Sequence, residues 1–308
     1  MSIRRSLLST LLPRFLAEEE SLRRRSLPRE VVLRILAYGA PVGCVIEHHG
    51  RLDRCMDRLR EMVAEAEAHH RSLAAGTVVM ADELTGGTGR FDRFWHAPTG
   101  GVWLALAWAD SLLPEFARLL PLAVGTACCE TVRHAGINAW IKWVNDVLVD
   151  ERKIAGILSR TVTGPHRGEL YHLIGIGINS NNSRFPGELQ RTAVSMRQVL
   201  GREVDIVAVA ARLLAKLTWN IGLVHFEEER TLAAEGEETA GTSGSLVLES
   251  WRRLSDTPGR RVRYGHDVVR SPLYEAVVEA VDDSGGLLMR LDDGTLVTEY
   301  AGEVEYLE

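Results

Sequence analysis

The sequence of 308 residues predicts an α+β fold, in which helices cover a mixed β-sheet and a small β-barrel follows at the C-terminus. Short apolar runs that suit buried strands alternate with longer stretches of helical periodicity as far as residue 226. After Trp251 the pattern changes to short alternating strands separated by turns. Hydrophobic residues make up 45% of the chain and charged residues 25%, which is usual for a globular protein.

Residues 1–43 form a segment of their own. Arg4–Leu36 is rich in leucine, arginine and glutamate at mixed helical spacing, and Pro13 and Pro28 are expected to break it. The basic run Arg23–Arg25 is more typical of a solvated helix face than of a nucleic-acid contact. We therefore expect a helical arm that packs on the core or on a second subunit.

Residues 44–243 are predicted to form the main domain. Its first strand begins near Cys44, and an amphipathic helix follows over Leu52–Arg71. A buried strand over Gly76–Met80 then leads into a glycine-rich loop. The remaining predicted elements are a strand at Trp103–Trp108, one or two buried helices over Leu112–His134, a strand at Leu170–Ile178 and a long helix at Val204–Phe226.

Residues 244–308 are predicted to form a second, smaller domain. A mobile linker rich in Gly, Ser, Thr and Glu is expected from Glu237 to Ser245. The segments that then alternate as short antiparallel strands are Arg261–Tyr264, Tyr274–Val281, Gly286–Leu291 and Thr295–Tyr300, with Asp- and Gly-containing turns between the last three.

Composition narrows the functional class. A net charge of −6 argues against general nucleic-acid binding. No run of about 18 apolar residues predicts a membrane span, and the N-terminus lacks the apolar stretch of an export signal. Cys128 and Cys129 lie next to each other in an apolar helical run, which favours a reduced pair in the core. A cytoplasmic protein without a disulfide framework is therefore expected.

The densest polar motif runs from Lys142 to Asp146 and is followed by the segment Lys153–Leu158. The apolar run between them predicts a strand, and Asp150–Arg152 predicts the turn of a hairpin. The hairpin would return Lys153 close to Asn145 and Asp146. Two lysines beside a carboxylate and an amide suit a carboxylate or phosphate substrate held with a metal ion. The alternative is a surface hairpin with solvated charges.

A second motif, Gly86–Trp95, contains three glycines, two arginines and a tryptophan. Glycine lets backbone N–H groups approach an anion closely, and arginine forks onto a carboxylate or phosphate. The alternative is a flexible loop, although linkers rarely contain adjacent bulky aromatic residues. The motif is neither a Walker loop nor a dinucleotide fingerprint.

Together these blocks resemble the catalytic core of biotin–protein ligases, which are relatives of the lipoate ligases. The resemblance extends from about residue 44 to the C-terminus and implies the biotin/lipoate ligase-like fold with an SH3-like C-terminal barrel. It also implies that a carboxylic acid and ATP give an acyl-adenylate, whose acyl group passes to a carrier-protein lysine. The blocks that carry the resemblance are Gly87–Trp95, Lys142–Asp146, Lys153–Leu158 and Gly175–Asn179.

The resemblance also implies the roles of individual residues. Arg90 would cover the acid and the adenylate phosphate, and Lys153 would stabilise the negative charge that develops at the α-phosphate. Together with Lys142 these are the predicted catalytic residues. Mg²⁺ would be held by Asp146 and Asn179 beside the triphosphate, and Trp251 would pack on adenine. The full set predicted to bind ATP and the acid is Gly87, Thr88, Gly89, Arg90, Arg93, Trp95, Asn145, Asp146, Lys153, Gly156, Asn179 and Trp251.

Departures from the family pattern affect the acid-binding side. Arg54-Cys55-Met56 stands where the family has Ser-Thr-Asn, and Leu84 or Thr85 stands where it has glutamine. Thr88 replaces the first arginine of the loop. Two explanations stay open: a biotin ligase with a divergent pocket, or a paralogue that activates another carboxylic acid. A non-catalytic sensor on the same fold is a third possibility, and a homodimer is possible in each case.

Overall fold

The main domain is built on a seven-stranded mixed sheet. The computed structural model describes residues 3–234 and 244–307. The strands lie in the order β1-β2-β3-β7-β6-β5-β4. Strands β1 and β2 are parallel, and all the remaining neighbouring pairs are antiparallel. Their bounds are β1 Ile46–Leu52, β2 Thr77–Leu84, β3 Val102–Ala109, β4 Trp140–Lys142, β5 Asp146–Val149, β6 Arg152–Thr163 and β7 Leu170–Ile178. The predicted α+β class with a mixed sheet is therefore confirmed.

Helices surround this sheet and connect its strands. The bounds are α1 Ile3–Arg23, α2 Arg29–Gly39, α3 Cys55–Ala68, α4 Pro114–Ala117, α5 Leu120–His134, α6 Leu189–Thr192, α7 Met196–Leu200, α8 Ile206–Ala234 and α9 Leu246–Arg252. Cys128 and Cys129 are free and buried in α5, as the apolar run predicts.

Side chains alternate between two cores along the central strands. Val78 of β2 belongs to the larger core, which contains the buried residues of α5 and α8. Its neighbour Val79 packs in a second cluster with Leu59 and Val63 of α3. Helices therefore cover both faces of these strands, because both faces are apolar and each requires cover. The α3 face also carries the site described below.

The N-terminal arm packs on the core of its own chain. Pro28 ends the first helix region as predicted, but Pro13 lies inside the continuous helix α1 and does not break it. An internal proline costs a helix about 3 kcal/mol, and burial of Leu8 and Phe15 on either side offsets that cost. A Cβ atom at Gly39 of α2 would lie 1.7 Å from the Thr218 carbonyl oxygen of α8, so the two helices meet backbone to backbone.

Helix α8 is the longest element of the described chain. Its segment Ile206–Ala233 has the length and hydropathy of a membrane span, but 78% of its most apolar window is buried within the fold. Its apolar surface is thus used by the core, in contact with α1, α2 and α5.

A five-stranded antiparallel sheet forms the C-terminal part of the chain. Its order is β11-β10-β9-β8-β12, with β8 Arg261–Gly265, β9 Tyr274–Val281, β10 Leu287–Arg290, β11 Leu296–Glu299 and β12 Glu303–Tyr306. Four of these strands are predicted from the sequence, whereas β12 is not. Of the predicted linker, residues 237–243 lie outside the described residues, and Ser245 already caps α9 by accepting a hydrogen bond from the Leu248 N–H.

Candidate active site

The segment Gly86–Trp95, called here the glycine–arginine loop, closes on itself as a small hairpin between β2 and β3. The Gly89 N–H donates to the Arg93 carbonyl over 2.8 Å, and the Trp95 N–H donates to the Gly87 carbonyl over 2.9 Å. A Cβ atom at Gly87 would lie 2.6 Å from the Trp95 carbonyl oxygen, so this close approach requires glycine. The loop therefore holds Arg90, Arg93 and Trp95 in defined positions.

The three consecutive strands β4, β5 and β6 bring two lysines to one carboxylate. Lys142 pairs in register with Asp146 across β4 and β5, and the two-residue turn Asp150–Glu151 returns the chain along β6. The Nζ atom of Lys153 lies 2.5 Å from Asp146 Oδ1, and that of Lys142 lies 3.6 Å from Asp146 Oδ2. The prediction that the hairpin returns Lys153 to the Asn-Asp pair is confirmed.

Electrostatics keep Asp146 ionised. Burial by itself raises the pKa of this carboxyl, but the positive charges of Lys153 and Lys142, with a smaller contribution from Arg90, hold the pKa below its ordinary value. Two lysines thus flank this one carboxylate, and together they leave a positive charge that an anionic substrate can neutralise.

One cleft of about 620 Å³ contains this cluster and the glycine–arginine loop. Arg90, Lys142 and Lys153 all line it, so the three predicted catalytic side chains share one cavity. The predicted site residues that line the cleft are Gly87, Thr88, Gly89, Arg90, Arg93, Trp95, Lys142, Asn145, Asp146, Lys153 and Gly156.

Glycines form a flat floor under the cleft. Gly156 of β6 and Gly177 of β7 are direct cross-strand partners. The Trp95 indole lies on both: a Cβ atom at Gly177 would be 2.7 Å from Trp95 Nε1, and one at Gly156 would be 3.0 Å from its Cζ3. The Lys153 ammonium lies 5.5 Å from the indole ring centroid, within cation–π distance. The indole therefore fills space that side chains on these strands would otherwise occupy.

Two predicted residues do not line the cleft. Asn179 is 2% exposed, and its amide Nδ2 donates to the Lys153 carbonyl over 3.3 Å. Trp251 is fully buried, and its Nε1 donates to the Val144 carbonyl over 3.1 Å. Asn179 therefore bonds to the backbone of Lys153–Leu158 and Trp251 to that of Lys142–Asp146, so in this structure both side chains hold the backbone that carries the two lysines.

Sequence reasoning gave no site role to several residues that line the cleft. Trp103 of β3 and Val268 after β8 are among them, whereas the resemblance already placed Cys55 and Met56 on the acid-binding side and Gly175 and Gly177 in a motif block. The two glycines are spaced by two residues in a strand, so the sequence already placed them on one face of the sheet. That α3 and β3 contribute side chains to that face depends on the tertiary fold, and no local sequence pattern predicts it.

The C-terminal sheet closes one side of the cleft. Arg93 donates to Asp267 over 2.6 Å and to Glu303 over 2.7 Å. Arg90 donates to the Gly302 carbonyl over 2.6 Å, and its Nε lies 3.6 Å from Glu303. The carboxylates of Glu303 and Asp267 outweigh the effect of burial and raise the pKa of Arg93. The glycine–arginine loop is therefore tied to β12 by charge-assisted hydrogen bonds.

Replacing Glu303 with Ala should loosen this connection. A hydrogen bond between charged groups contributes about 1.5–3 kcal/mol, so we expect amide hydrogen exchange in β12 to accelerate by roughly tenfold or more. Glu305→Ala is the matched control, because this carboxylate lies on the same strand in an exposed pair with Arg263. Equal exchange rates in the two variants would show that the Glu303 contact does not hold β12.

Comparisons with known proteins agree with this architecture. Residues 55–181 match the model of the biotin/lipoate A/B protein ligase family. The bifunctional ligase/repressor BirA of Bacillus subtilis is 35% identical over 152 residues, which cover 48% of this chain and 46% of that protein. The biotin--[acetyl-CoA-carboxylase] ligase of Mycobacterium tuberculosis is 28% identical over 239 residues, covering 75% of this chain and 79% of the relative. The chain thus spans about half the length of the first of these relatives.

A likeness to solved structures extends over most of the chain. The biotin protein ligase from Aquifex aeolicus, solved in complex with biotin and ATP, superposes with a TM-score of 0.65 and 20% identity. The match covers 86% of this chain and 99% of that one, and at this identity it shows the fold alone. The sequence match, the shared fold and the four motif blocks agree, and residues 55–181 are similar to the biotin/lipoate A/B protein ligase family.

Proposed function

We propose that this chain is an ATP-dependent ligase that converts a carboxylic acid, biotin by default, into its acyl-adenylate and passes the acyl group to a lysine of a carrier protein. The observation that carries the proposal is the presence of Arg90, Lys142 and Lys153 in one cleft, where the two lysines flank Asp146. The activity for which the biotin--[acetyl-CoA-carboxylase] ligase relatives are named makes biotin the default acid.

The proposed chemistry has two displacement steps. A carboxylate oxygen of the acid attacks the α-phosphorus of ATP, and the bond to the β-phosphate oxygen breaks to release pyrophosphate. The amine of the acceptor lysine then attacks the acyl carbon, AMP leaves, and a proton is lost from the nitrogen. Arg90 and Lys153 would neutralise the negative charge that develops on the acid and the α-phosphate, and Lys142 would neutralise the leaving pyrophosphate. No covalent bond to the enzyme is needed, and positioning supplies the remainder of the catalysis.

Mg²⁺ is expected with the nucleotide. Within residues 3–234 and 244–307 no three His, Cys, Asp or Glu side chains form a metal-binding group. Mg²⁺ commonly uses one or two carboxylates together with substrate phosphates, and Asp146 beside Asn145 fits that use. The ion would offset phosphate charge in the first displacement. Because Asn179 does not line the cleft, its predicted contact with the metal stays a prediction.

The other predicted roles are proposed on the same basis. The backbone of Gly87 and Gly89, with Thr88 and Arg93, would enclose the acyl-adenylate, and Gly156 and Trp95 would form its floor and cover. Adenine contact by Trp251 would require the indole to leave its place against Val144.

The organisation of the whole chain is proposed as follows. Residues 1–43 serve as an arm, residues 44–243 as the catalytic domain, and residues 244–308 as an SH3-like barrel that closes the cleft and helps to dock the carrier. The net charge of −6 favours partners other than nucleic acid. We expect a cytoplasmic location and, through an exposed sheet edge, a possible homodimer.

Pyrophosphate release from ATP across a panel of carboxylic acids tests this function. Release with biotin supports the default acid, and release with another acid supports a paralogue that uses the same chemistry. If no acid causes pyrophosphate release, the non-catalytic sensor is the remaining hypothesis. The cations favour catalysis over sensing, because a sensor of the acid alone would not require two lysines at the position proposed for the phosphates.

A further inference from the structure

The edge strand β4 is held from outside by the residues that follow α9. The Ile141 N–H donates to the Leu254 carbonyl over 2.7 Å. The Trp143 N–H, just beyond the end of β4, donates to the Thr257 hydroxyl oxygen over 2.9 Å. Lys142 lies between these two anchored amides and lines the cleft. The backbone that carries this lysine therefore depends on an acceptor from another part of the chain.

Thr257 is the middle of a buried hydrogen-bond chain. Its side chain is fully buried, and its Oγ1 atom lies 2.8 Å from the Tyr306 hydroxyl, which donates to Asp256 over 2.7 Å. Burial raises the pKa of Tyr306, and the carboxylate of Asp256 adds to this effect, so the phenol keeps its proton. Because that single proton goes to Asp256, the Thr257 hydroxyl donates to Tyr306 and its oxygen accepts from Trp143. The chain thus has one direction and ends on the backbone N–H beside Lys142.

The far end of the chain belongs to the cleft wall. Tyr306 lines the cleft, and the Arg260 guanidinium lies 4.8 Å from the centroid of its ring. The same guanidinium lies 3.3 Å from Asp256 and 3.4 Å from Glu151, a second residue of the wall. The phenol ring is therefore held by a charge on one side and by its hydrogen bonds on the other.

The hydroxyl oxygen of Thr257 is the part of this residue that the motif requires. Thr257 does not line the cleft, so it acts on the cleft only through the Trp143 amide. Valine has nearly the same shape but no acceptor, and a buried N–H that loses its acceptor moves toward another acceptor or toward water. Such a movement would displace Lys142, which is the next residue in the chain.

We propose that Thr257 is a positioning residue for the first displacement, and that its hydroxyl holds the Trp143 amide so that Lys142 meets the pyrophosphate as it leaves. This inference rests on the adenylate chemistry proposed above. It adds a residue outside the cleft to the groups on which that step depends.

The test compares two properties of Thr257→Val. The kcat for acid-dependent pyrophosphate release, with biotin or with the panel acid that the wild type uses, should fall by about 10–100-fold, since a displacement of about 1 Å in an active site can cost about 10²-fold. Affinity for the non-hydrolysable sulfamoyl analogue of the acyl-adenylate, measured by calorimetry, should stay within about twofold of the wild type, because this ligand has no pyrophosphate for Lys142 to meet. Thr257→Ser keeps the oxygen and should recover most of the lost kcat.

Thr218→Val is the matched control. Thr218 of α8 is also a buried threonine, but its hydroxyl donates within its own helix, to the Leu214 carbonyl over 3.0 Å. Thermal unfolding verifies that each variant is folded. If Thr257→Val does not fold, Tyr306→Phe takes its place, because it removes the next hydroxyl of the chain and keeps the ring. The same separation of kcat from adenylate affinity is expected there.

Two results overturn the inference while the adenylate chemistry stands. One is an unchanged kcat in the folded variant. The other is a joint loss of kcat and of affinity for the adenylate analogue, which would mean that Thr257 holds the whole cleft rather than Lys142. A wild type that releases pyrophosphate with no acid overturns both the proposed function and this inference.

Discussion

Replacing Lys153 with Ala should reduce acid-dependent pyrophosphate release by about 10²–10³-fold, the usual effect of removing one charge-stabilising group from an active site. The Lys153 ammonium lies 2.5 Å from Asp146 and 5.5 Å from the Trp95 ring centroid, inside the cleft and beside the glycine floor. A cation held there interacts more strongly with phosphate charge as it develops than with either ground-state substrate, so the loss should appear chiefly in kcat.

The fold should tolerate this substitution. Asp146 keeps Lys142 at 3.6 Å, and the Lys153 side chain is one-third exposed, so no carboxylate is left buried without a partner. We expect the melting temperature to change by a few degrees at most, in keeping with about 1 kcal/mol for a partly exposed ion pair.

Arg152→Ala provides the matched control for Lys153→Ala. Arg152 lies one residue earlier on β6, carries the same charge and does not line the cleft. Its loss should leave pyrophosphate release within about twofold of the wild type, because a partly exposed charge away from the reacting atoms contributes little. Turnover by Lys153→Ala equal to that of Arg152→Ala would remove Lys153 from the mechanism.

The cation cluster could be predicted from the sequence because its geometry is local. A two-residue turn between two apolar runs fixes the register of a hairpin, and the register fixes which side chains meet. Asp150 and Glu151 both adopt positive φ, 47° and 61°; aspartate is common in such turns, whereas glutamate is not. The flanking apolar strands, together with the polar residues between them, thus indicate the hairpin.

The acid-binding wall could not be assembled in the same way. Met56 and Gly175 are far apart in the sequence and meet only because α3 packs on the sheet face opposite the larger core. Trp251 is a second example. Its position in the sequence motif predicted contact with adenine and could not predict that the indole is buried against the Val144 carbonyl. Long-range packing, which one sequence does not specify locally, decides both cases.

Replacing Lys216 with Met should destabilise the protein by about 3–5 kcal/mol at pH 7, the usual cost of breaking a buried ion pair from one side. Lys216 of α8 lies 2.7 Å from Glu19 of the N-terminal arm and 3.4 Å from Glu130 of α5. Arg23 completes the cluster, 2.7 Å from each of the same two carboxylates. Two cations and two anions balance there, so loss of Lys216 leaves one uncompensated negative charge between three helices.

The pH dependence identifies the cause. Burial by itself raises the pKa of Glu130, but Arg23 and Lys216 outweigh it and hold the pKa below its ordinary value of 4.5. This carboxylate therefore stabilises the wild type above pH 4.5, and that contribution is lost as the pH falls through the lowered pKa. In Lys216→Met the carboxylate binds its proton more readily, so the deficit relative to the wild type should be largest near pH 7 and shrink in acid.

Urea unfolding at pH 7 and at pH 4 measures both effects. The double variant Glu19→Gln/Lys216→Met restores charge balance and should recover a large part of the lost stability, since the remaining Arg23–Glu130 pair is neutral overall. Arg14→Met is the control on the same arm: its pair with Glu18 is exposed and should contribute no more than about 1 kcal/mol. A deficit that is equally small for Lys216→Met and Arg14→Met would mean that apolar contacts, rather than the buried charges, fasten the arm to the core.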